Sequence, residues 1–306
     1  MRKTRLIAGI GLATAALLLT ACNSGSPTST GDTGTDTDTG TDTSSDSLFE
    51  VATDVSLTGS PTYDAMKERG TVKIGVKEDQ PNLGYLDPTT DERTGFDVDI
   101  ARWIAASLGF DEDKIEFQSI PSANREQALI NGDIDYYVGT YSITDKRKTQ
   151  ISFAGPYFLS GQGLLVAADN TDINGPDDLA GKTVCSATGS TPIQNIREKY
   201  PDAKTAEFDT YSQCVEQLKA GQVDAVTTDE AILIGYAALE PDELKVVGKV
   251  FSEERYGVGI PLGDTALQEF INTMLTDGGD IWTAIYDKNL GGSGVTGTQP
   301  AVDPAE

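Results

Sequence analysis

The chain of 306 residues contains no histidine. That removes the commonest general base and neutral metal ligand, and with them every Ser-His and Cys-His catalytic device. Cysteine is nearly as scarce, with Cys22, Cys185 and Cys214 the full set. They are too few and too widely spaced for a structural zinc site, so neither metal nor cofactor is expected. Positive charge is also short: 23 Lys and Arg stand against 48 Asp and Glu, a net charge of −25. Nucleic acid, which needs cationic neutralisation of its phosphates, is therefore not an expected partner. The sign of a small ligand stays open, because binding depends on the few charges that line a site. Long apolar runs are missing as well. The run from Leu6 to Leu19 falls short of the ~20 residues that span a bilayer.

What is present begins with address signals. Arg2, Lys3 and Arg5 precede the apolar run, and Ala21-Cys22 closes it, the order of a secretory leader. Leu19-Thr20-Ala21-Cys22 resembles the lipobox of bacterial lipoproteins. The resemblance implies a leader over 1–22, lipidation of Cys22 and a lipid anchor on the extracellular face of the cell membrane. Each buried acyl methylene contributes about 0.8 kcal/mol to such an anchor. Asn23 to Asp46 is nearly all Ser, Thr, Gly and Asp, and 23–61 is expected to be a disordered tether extended by its own charge. Residues 291–306 return to Gly, Ser, Thr and Pro and are expected to be a flexible tail. Outside the cell the remaining pair, Cys185 and Cys214, favours a disulfide, with two buried thiols as the alternative.

Between tether and tail, short β-branched runs alternate with amphipathic stretches. Thr71 to Val76 reads as a strand, Phe96 to Leu108 as a helix, Ile115 to Phe117 as a strand, Arg125 to Ile130 as a helix stopped at Asn131-Gly132, and Ile134 to Val138 as a strand. This βαβ rhythm predicts an α/β fold with largely parallel pairing. The grammar then repeats. Lys182 to Cys185 reads as a strand leading to Thr191, placed to cap a helix opening at Pro192. Val215 to Val226 echoes Glu126 to Tyr137: helix, glycine stop, then a strand with an aspartate near its start. Two echoes in matching order predict two similar lobes, and a cleft between lobes is a favoured place for a small ligand.

Gly95-Phe96-Asp97-Val98-Asp99-Ile100-Ala101, Asn131-Gly132-Asp133-Ile134-Asp135, Ser142-Ile143-Thr144-Asp145-Lys146-Arg147 and Phe153-Ala154-Gly155-Pro156-Tyr157 follow in order. Together they resemble the family 3 extracellular solute-binding proteins of amino-acid ABC importers. Ser122-Ala123-Asn124-Arg125 and the cysteine pair make the chain most similar to actinobacterial glutamate-binding lipoproteins. The resemblance implies a two-lobed, periplasmic-binding-protein-like (type II) fold with an interlobe ligand cleft. Lobe 1 would hold 62–159 and 256–290, and lobe 2 would hold 160–255.

The same resemblance implies the site. Arg147 would bind the α-carboxylate, helped by Ser142 and Thr140, because a planar guanidinium engages both oxygens. Asp229 would bind the ammonium, with helix capping as its other role. Arg125 and Lys77 would meet a side-chain carboxylate, or else be solvated surface cations. Thr188, Gly189, Ser190 and Thr191 would offer amides and hydroxyls at a helix start, and Tyr85 and Tyr141 apolar walls or plain core packing. A disulfide at Cys185 would tie the binding-loop strand to a helix. The implied function is capture of L-glutamate by a monomer and its delivery to the transmembrane subunits of an ABC permease, without enzymatic activity. Glutamine or aspartate binding, a carboxylate dehydratase and a sensory partner are the alternatives.

Overall fold

The chain enters its first lobe through a helix that the sequence signals well. Ser60 Oγ accepts from Tyr63 N–H at 3.0 Å, and Pro61 opens the helix where its missing N–H costs nothing. The computed structural model describes residues 48–305. The leader, Cys22 and the tether up to residue 47 lie outside the described residues.

Lobe 1 runs through α1 (Pro61–Arg69), β1 (Val72–Val76), β2 (Asp79–Gln80), β3 (Gly84–Leu86), β4 (Arg93–Thr94), α2 (Phe96–Ser107), β5 (Ile115–Ser119), α3 (Arg125–Asn131), β6 (Tyr136–Tyr137), α4 (Asp145–Lys148) and β7 (Ser152–Ser160). Lobe 2 follows as β8 (Gln162–Ala167), β9 (Thr183–Ala187), α5 (Thr191–Lys199), β10 (Lys204–Phe208), α6 (Tyr211–Lys219), β11 (Ala225–Asp229), α7 (Glu230–Leu239) and β12 (Leu244–Val247). The chain returns along β13 (Glu254–Ile260) and ends lobe 1 with α8 (Thr265–Asp277) and α9 (Gly279–Asn289).

Each lobe carries one five-stranded sheet, β5-β1-β6-β13-β7 in the first and β10-β9-β11-β8-β12 in the second. In both, one central strand pairs in parallel with two neighbours, β1 with β5 and β6, β9 with β10 and β11. The other pairings are antiparallel, so the sheets are mixed rather than largely parallel. The departure comes from the crossover: β7 and β13 run antiparallel between the lobes, with Ser160 opposite Glu254.

The sequence echo has a physical counterpart. Asp135, just before β6, accepts from Lys73 N–H at 2.6 Å, and Asp224, just before β11, accepts from Thr183 N–H at 2.6 Å. Both aspartates thus satisfy an amide at the start of the adjacent parallel strand, the second of β1 and the first of β9. The strand expected over 134–138 is observed over Tyr136–Tyr137. Cys185 and Cys214 form a disulfide that ties β9 to α6.

Both ends of the described chain pack down. Ala52 N–H donates to Ala106 O at 2.9 Å, and Leu48, Phe49, Val55 and Leu57 lie against the core, so the tether is held to the lobe from residue 48 onward. The tail does not fray. Gly297 N–H donates to Tyr286 Oη at 3.1 Å, Asp303 N–H to Gly155 O at 2.8 Å, and Asp303 pairs with Arg255 at 2.6 Å. Its small residues are what let it lie flat: a Cβ at Gly297 would stand 2.8 Å from the Phe158 ring.

Candidate ligand-binding site

The site is built where strand ends and helix starts of the two lobes face one another. From lobe 1, Lys77 follows β1, Arg125 opens α3 and Arg147 lies in α4. All three are buried, at 4 %, 2 % and 7 % exposure, so none is a solvated surface cation. Lys77 Nζ donates to Ser122 Oγ at 2.7 Å, and Arg125 Nε donates to Ser122 O at 3.1 Å. Burial first, then the neighbouring Arg125, lowers the Lys77 ammonium from 10.5 to about 7. Arg147 is held harder. It donates to Glu126 Oε1 at 3.0 Å, to Ser142 O at 2.7 Å, and across the cleft to Thr191 Oγ1 at 3.0 Å and Gly189 O at 3.3 Å. The Tyr141 ring packs under both guanidinium groups, 4.2 Å from Arg125 and 4.9 Å from Arg147.

Lobe 2 supplies the opposite charge. Asp229 is 3 % exposed and occupies the N-cap position of α7, yet its side chain makes no capping bond. Oδ2 instead accepts from Tyr256 Oη at 2.7 Å, and Oδ1 has no partner. Burial first, then the nearby Glu254 carboxylate, raises Asp229 from 3.8 to about 8. Two more buried hydroxyls, Tyr141 Oη and Thr228 Oγ1, also lack hydrogen-bond partners among the described residues. Buried polar groups are almost always satisfied. Three orphans in or beside this cluster therefore point to a ligand with several polar groups.

The lobes meet on either side of the cluster. Gly189, at φ +75°, presses its backbone on lobe 1: a Cβ there would lie 2.7 Å from Ala123 Cα. On the other flank Asp79 Oδ2 accepts from Ser212 N–H at 3.0 Å, and Tyr236 Oη donates to the Asp79 carbonyl. An open cavity of about 740 Å³ adjoins the cluster outside Arg147, lined by Glu126, Lys146, Gly189, Thr191, Glu198 and Glu254 among others.

The structure gathers Lys77, Arg125, Thr140, Tyr141, Ser142, Arg147, Gly189, Thr191 and Asp229. It turns three others aside. Thr188 donates both N–H and Oγ1 to Phe208 O. Ser190 caps α5, accepting from Ile193 N–H at 3.4 Å, so Thr191 is inside the helix rather than its cap. Tyr85 sits half-buried in β3, opposite Asp79 and Thr94, with no hydrogen bond or ring contact to the cluster among the described residues. Sequence reading missed Tyr256, Glu126 and the Asp79–Tyr236 contact. Tyr256 meets Asp229 across 27 residues and Tyr236 meets Asp79 across 157, so no local pattern flags either contact.

Two lobes on two crossing strands, with a charged, buried and incompletely satisfied cleft between them, define a two-lobed small-molecule-binding protein. Among the described residues no cluster of His, Cys, Asp and Glu could hold a metal. The chain belongs to the bacterial extracellular solute-binding proteins, family 3, whose family model matches residues 72–291. It is similar to the glutamate-binding protein GluB of Corynebacterium efficiens, 43 % identical over 218 residues covering 68 % of this chain and 74 % of that protein. It is as similar to a glutamine-binding protein of Geobacillus stearothermophilus, 43 % identical over 202 residues covering 66 % and 76 %. Among solved structures it resembles an ancestral arginine-binding protein bound to arginine, with TM-score 0.67, 36 % identity and coverage of 72 % and 99 %.

Proposed function

We propose that this protein captures L-glutamate outside the membrane and delivers it to the permease of an ABC importer. The observation that carries the reading is the separation of unpaired charge across the cleft. Among the described residues Lys77 and Arg125 form no ion pair, and neither does Asp229. These two cations on lobe 1, with Arg147 beside them, face one carboxylate on lobe 2, a charge pattern opposite to that of an amino acid with an acidic side chain. Arg147 would take the α-carboxylate, displacing its bonds to Gly189 O and Thr191. Asp229 Oδ1 would take the ammonium, and Lys77 with Arg125 the side-chain carboxylate. Similarity to two proteins named glutamate-binding supports the choice. Cys22, carrying lipid, would hold the protein at the membrane.

One observation favours glutamine as a second reading. A Lys77 ammonium pushed down to about 7 sheds its proton near neutrality, and an uncharged amine suits an amide. Two relatives at 43 % and 41 % identity are named glutamine-binding. Calorimetric titration of ligand-stripped protein with L-glutamate, L-glutamine and L-aspartate decides. Glutamate tighter than glutamine by at least about a hundredfold, roughly 2.7 kcal/mol, is expected. Tighter glutamine would remove Lys77 from side-chain charge recognition, and no heat from any of the three would sink the amino-acid reading.

A further inference from the structure

Three consecutive residues organise both arginines of the cleft. Thr140 O accepts from Arg125 Nη1 at 3.5 Å, the Tyr141 ring lies 4.2 and 4.9 Å from the two guanidinium carbons, and Ser142 O accepts from Arg147 Nη1 at 2.7 Å. The chain reaches this arrangement through a turn at Thr140, whose φ of 45° lies in the left-handed region. A β-branched residue is a genuine outlier there, since its Cβ crowds the backbone. Such strain persists where the surroundings over-determine it.

The restraint comes from Asp97, in the first turn of α2. Its Oδ2 accepts from Thr140 N–H at 2.9 Å, and its Oδ1 accepts from Tyr157 Oη at 2.8 Å. The Gln80 amide closes on the other side of the turn, 3.1 Å from Thr140 Oγ1. Asp97 is completely buried and makes no ion pair among the described residues. A buried carboxylate without a cation is a poor device for stability alone. Here it has a geometric task.

We propose that Asp97 is a positioning residue for ligand recognition: it holds Thr140 in the left-handed turn and so sets Arg125, Tyr141 and Arg147 in one frame. The inference rests on the amino-acid reading of the cleft. Asp97 touches no ligand in this scheme. Losing it frees Thr140 to relax, and both arginines lose their backbone acceptors' alignment.

The test is a double-mutant cycle of Asp97→Ala and Thr140→Gly, read as Kd for L-glutamate and L-glutamine on purified, ligand-stripped protein. Glycine adopts a left-handed turn unaided. Asp97→Ala alone is expected to weaken glutamate at least tenfold. In the Thr140→Gly background the same change is expected to cost less than threefold. A merely structural role at Tyr157 would lower the melting temperature of both Asp97→Ala proteins and give no such rescue. Equal losses in the two backgrounds, or no loss in either, would overturn the proposal. Should Asp97→Ala fail to fold, Asp97→Ser, whose hydroxyl is too short to reach Thr140 N–H, carries the same cycle. Wild-type protein that binds no amino acid would overturn the cleft reading itself, whereas normal wild-type binding with a flat Asp97→Ala overturns this inference alone.

Discussion

Replacing Lys77 by methionine should stabilise the ligand-free protein while weakening it as a receptor. Lys77 is 4 % exposed, its ammonium has one hydrogen bond, and burial lowers it from 10.5 to about 7. At about 1.36 kcal/mol per pH unit, that costs the folded state about 5 kcal/mol once the group is fully charged and about 4 kcal/mol at pH 7. Part of that cost is offset by the bond to Ser122 and by solvent relaxation, so a smaller gain of about 1–2 kcal/mol is expected for Lys77→Met. That corresponds to a rise of roughly 2–8 °C in Tm. The sign with pH is fixed. Between pH 7 and 10.5 the unfolded chain holds the proton that the folded one has shed, so the wild type gains stability as pH rises through this window. The variant lacks that gain, and the difference between the two melting curves should shrink toward pH 10. Glutamate affinity should move the other way. A charge pair at about 4 Å with an effective dielectric of about 20 is worth roughly 4 kcal/mol, so a loss of about 10²- to 10³-fold is expected. Calorimetry and thermal denaturation at pH 7 and 9.5 measure both. A lower Tm together with unchanged affinity would refute the reasoning, since it would make Lys77 a structural cation.

Glutamate affinity should fall on both sides of neutrality: on the acid side Asp229, raised by burial, must release a proton to receive the ammonium, and on the alkaline side Lys77, lowered by burial, must take one up. Titrations from pH 5.5 to 9.5 check this, and Asp229→Asn should abolish the acid limb. Tyr236→Phe should speed glutamate release several-fold in stopped-flow, because it loses the bond to Asp79 that joins the lobes. Cys214→Ala should cost about 3.6 kcal/mol of stability from loop entropy, given the 29-residue separation of the disulfide, as read by denaturant unfolding. Truncation after Thr296 should lower Tm by about 4–8 °C, since it removes the Val302 packing and the bonds of Gln299 and Asp303 to lobe 1, worth about 2 kcal/mol together.

The two-lobed plan is legible because it is written twice. The helix–glycine–strand unit recurs with an aspartate at the same strand-start position, and Asp135 and Asp224 do the same work in both copies. Motif position picks out Arg147, Arg125 and Asp229, all buried in the structure, although Lys146-Arg147-Lys148 looks by itself like a solvated run. What stays hidden depends on chain returns. The Tyr256–Asp229 bond spans 27 residues and the Asp79–Tyr236 contact 157, and neither has a local pattern to announce it. Thr188 and Ser190 read as ligand contacts because a helix start offers donors. Local capping and the carbonyl of Phe208 consume them instead. The tail misleads for a compositional reason. Gly and Thr residues suggest fraying, but small size is also what allows Gly297 to lie on Phe158.

Selectivity and closure come from the same imbalance. Among the described residues, buried Lys77, Arg125 and Asp229 have no ion-pair partner. Holding such a group charged in this cleft costs several kcal/mol, which is why burial pushes Asp229 up and Lys77 down toward their neutral forms. An apolar ligand would leave that penalty untouched, and a simple amine or a simple carboxylate would relieve one pole. A molecule carrying both charges at the right separation relieves the two poles at once, and it touches both lobes in doing so. A ligand shifts a conformational equilibrium by its differential affinity for the two states. On the proposed reading that difference would be the cancelled penalty, so a ligand that fits the charge pattern would also favour the closed cleft.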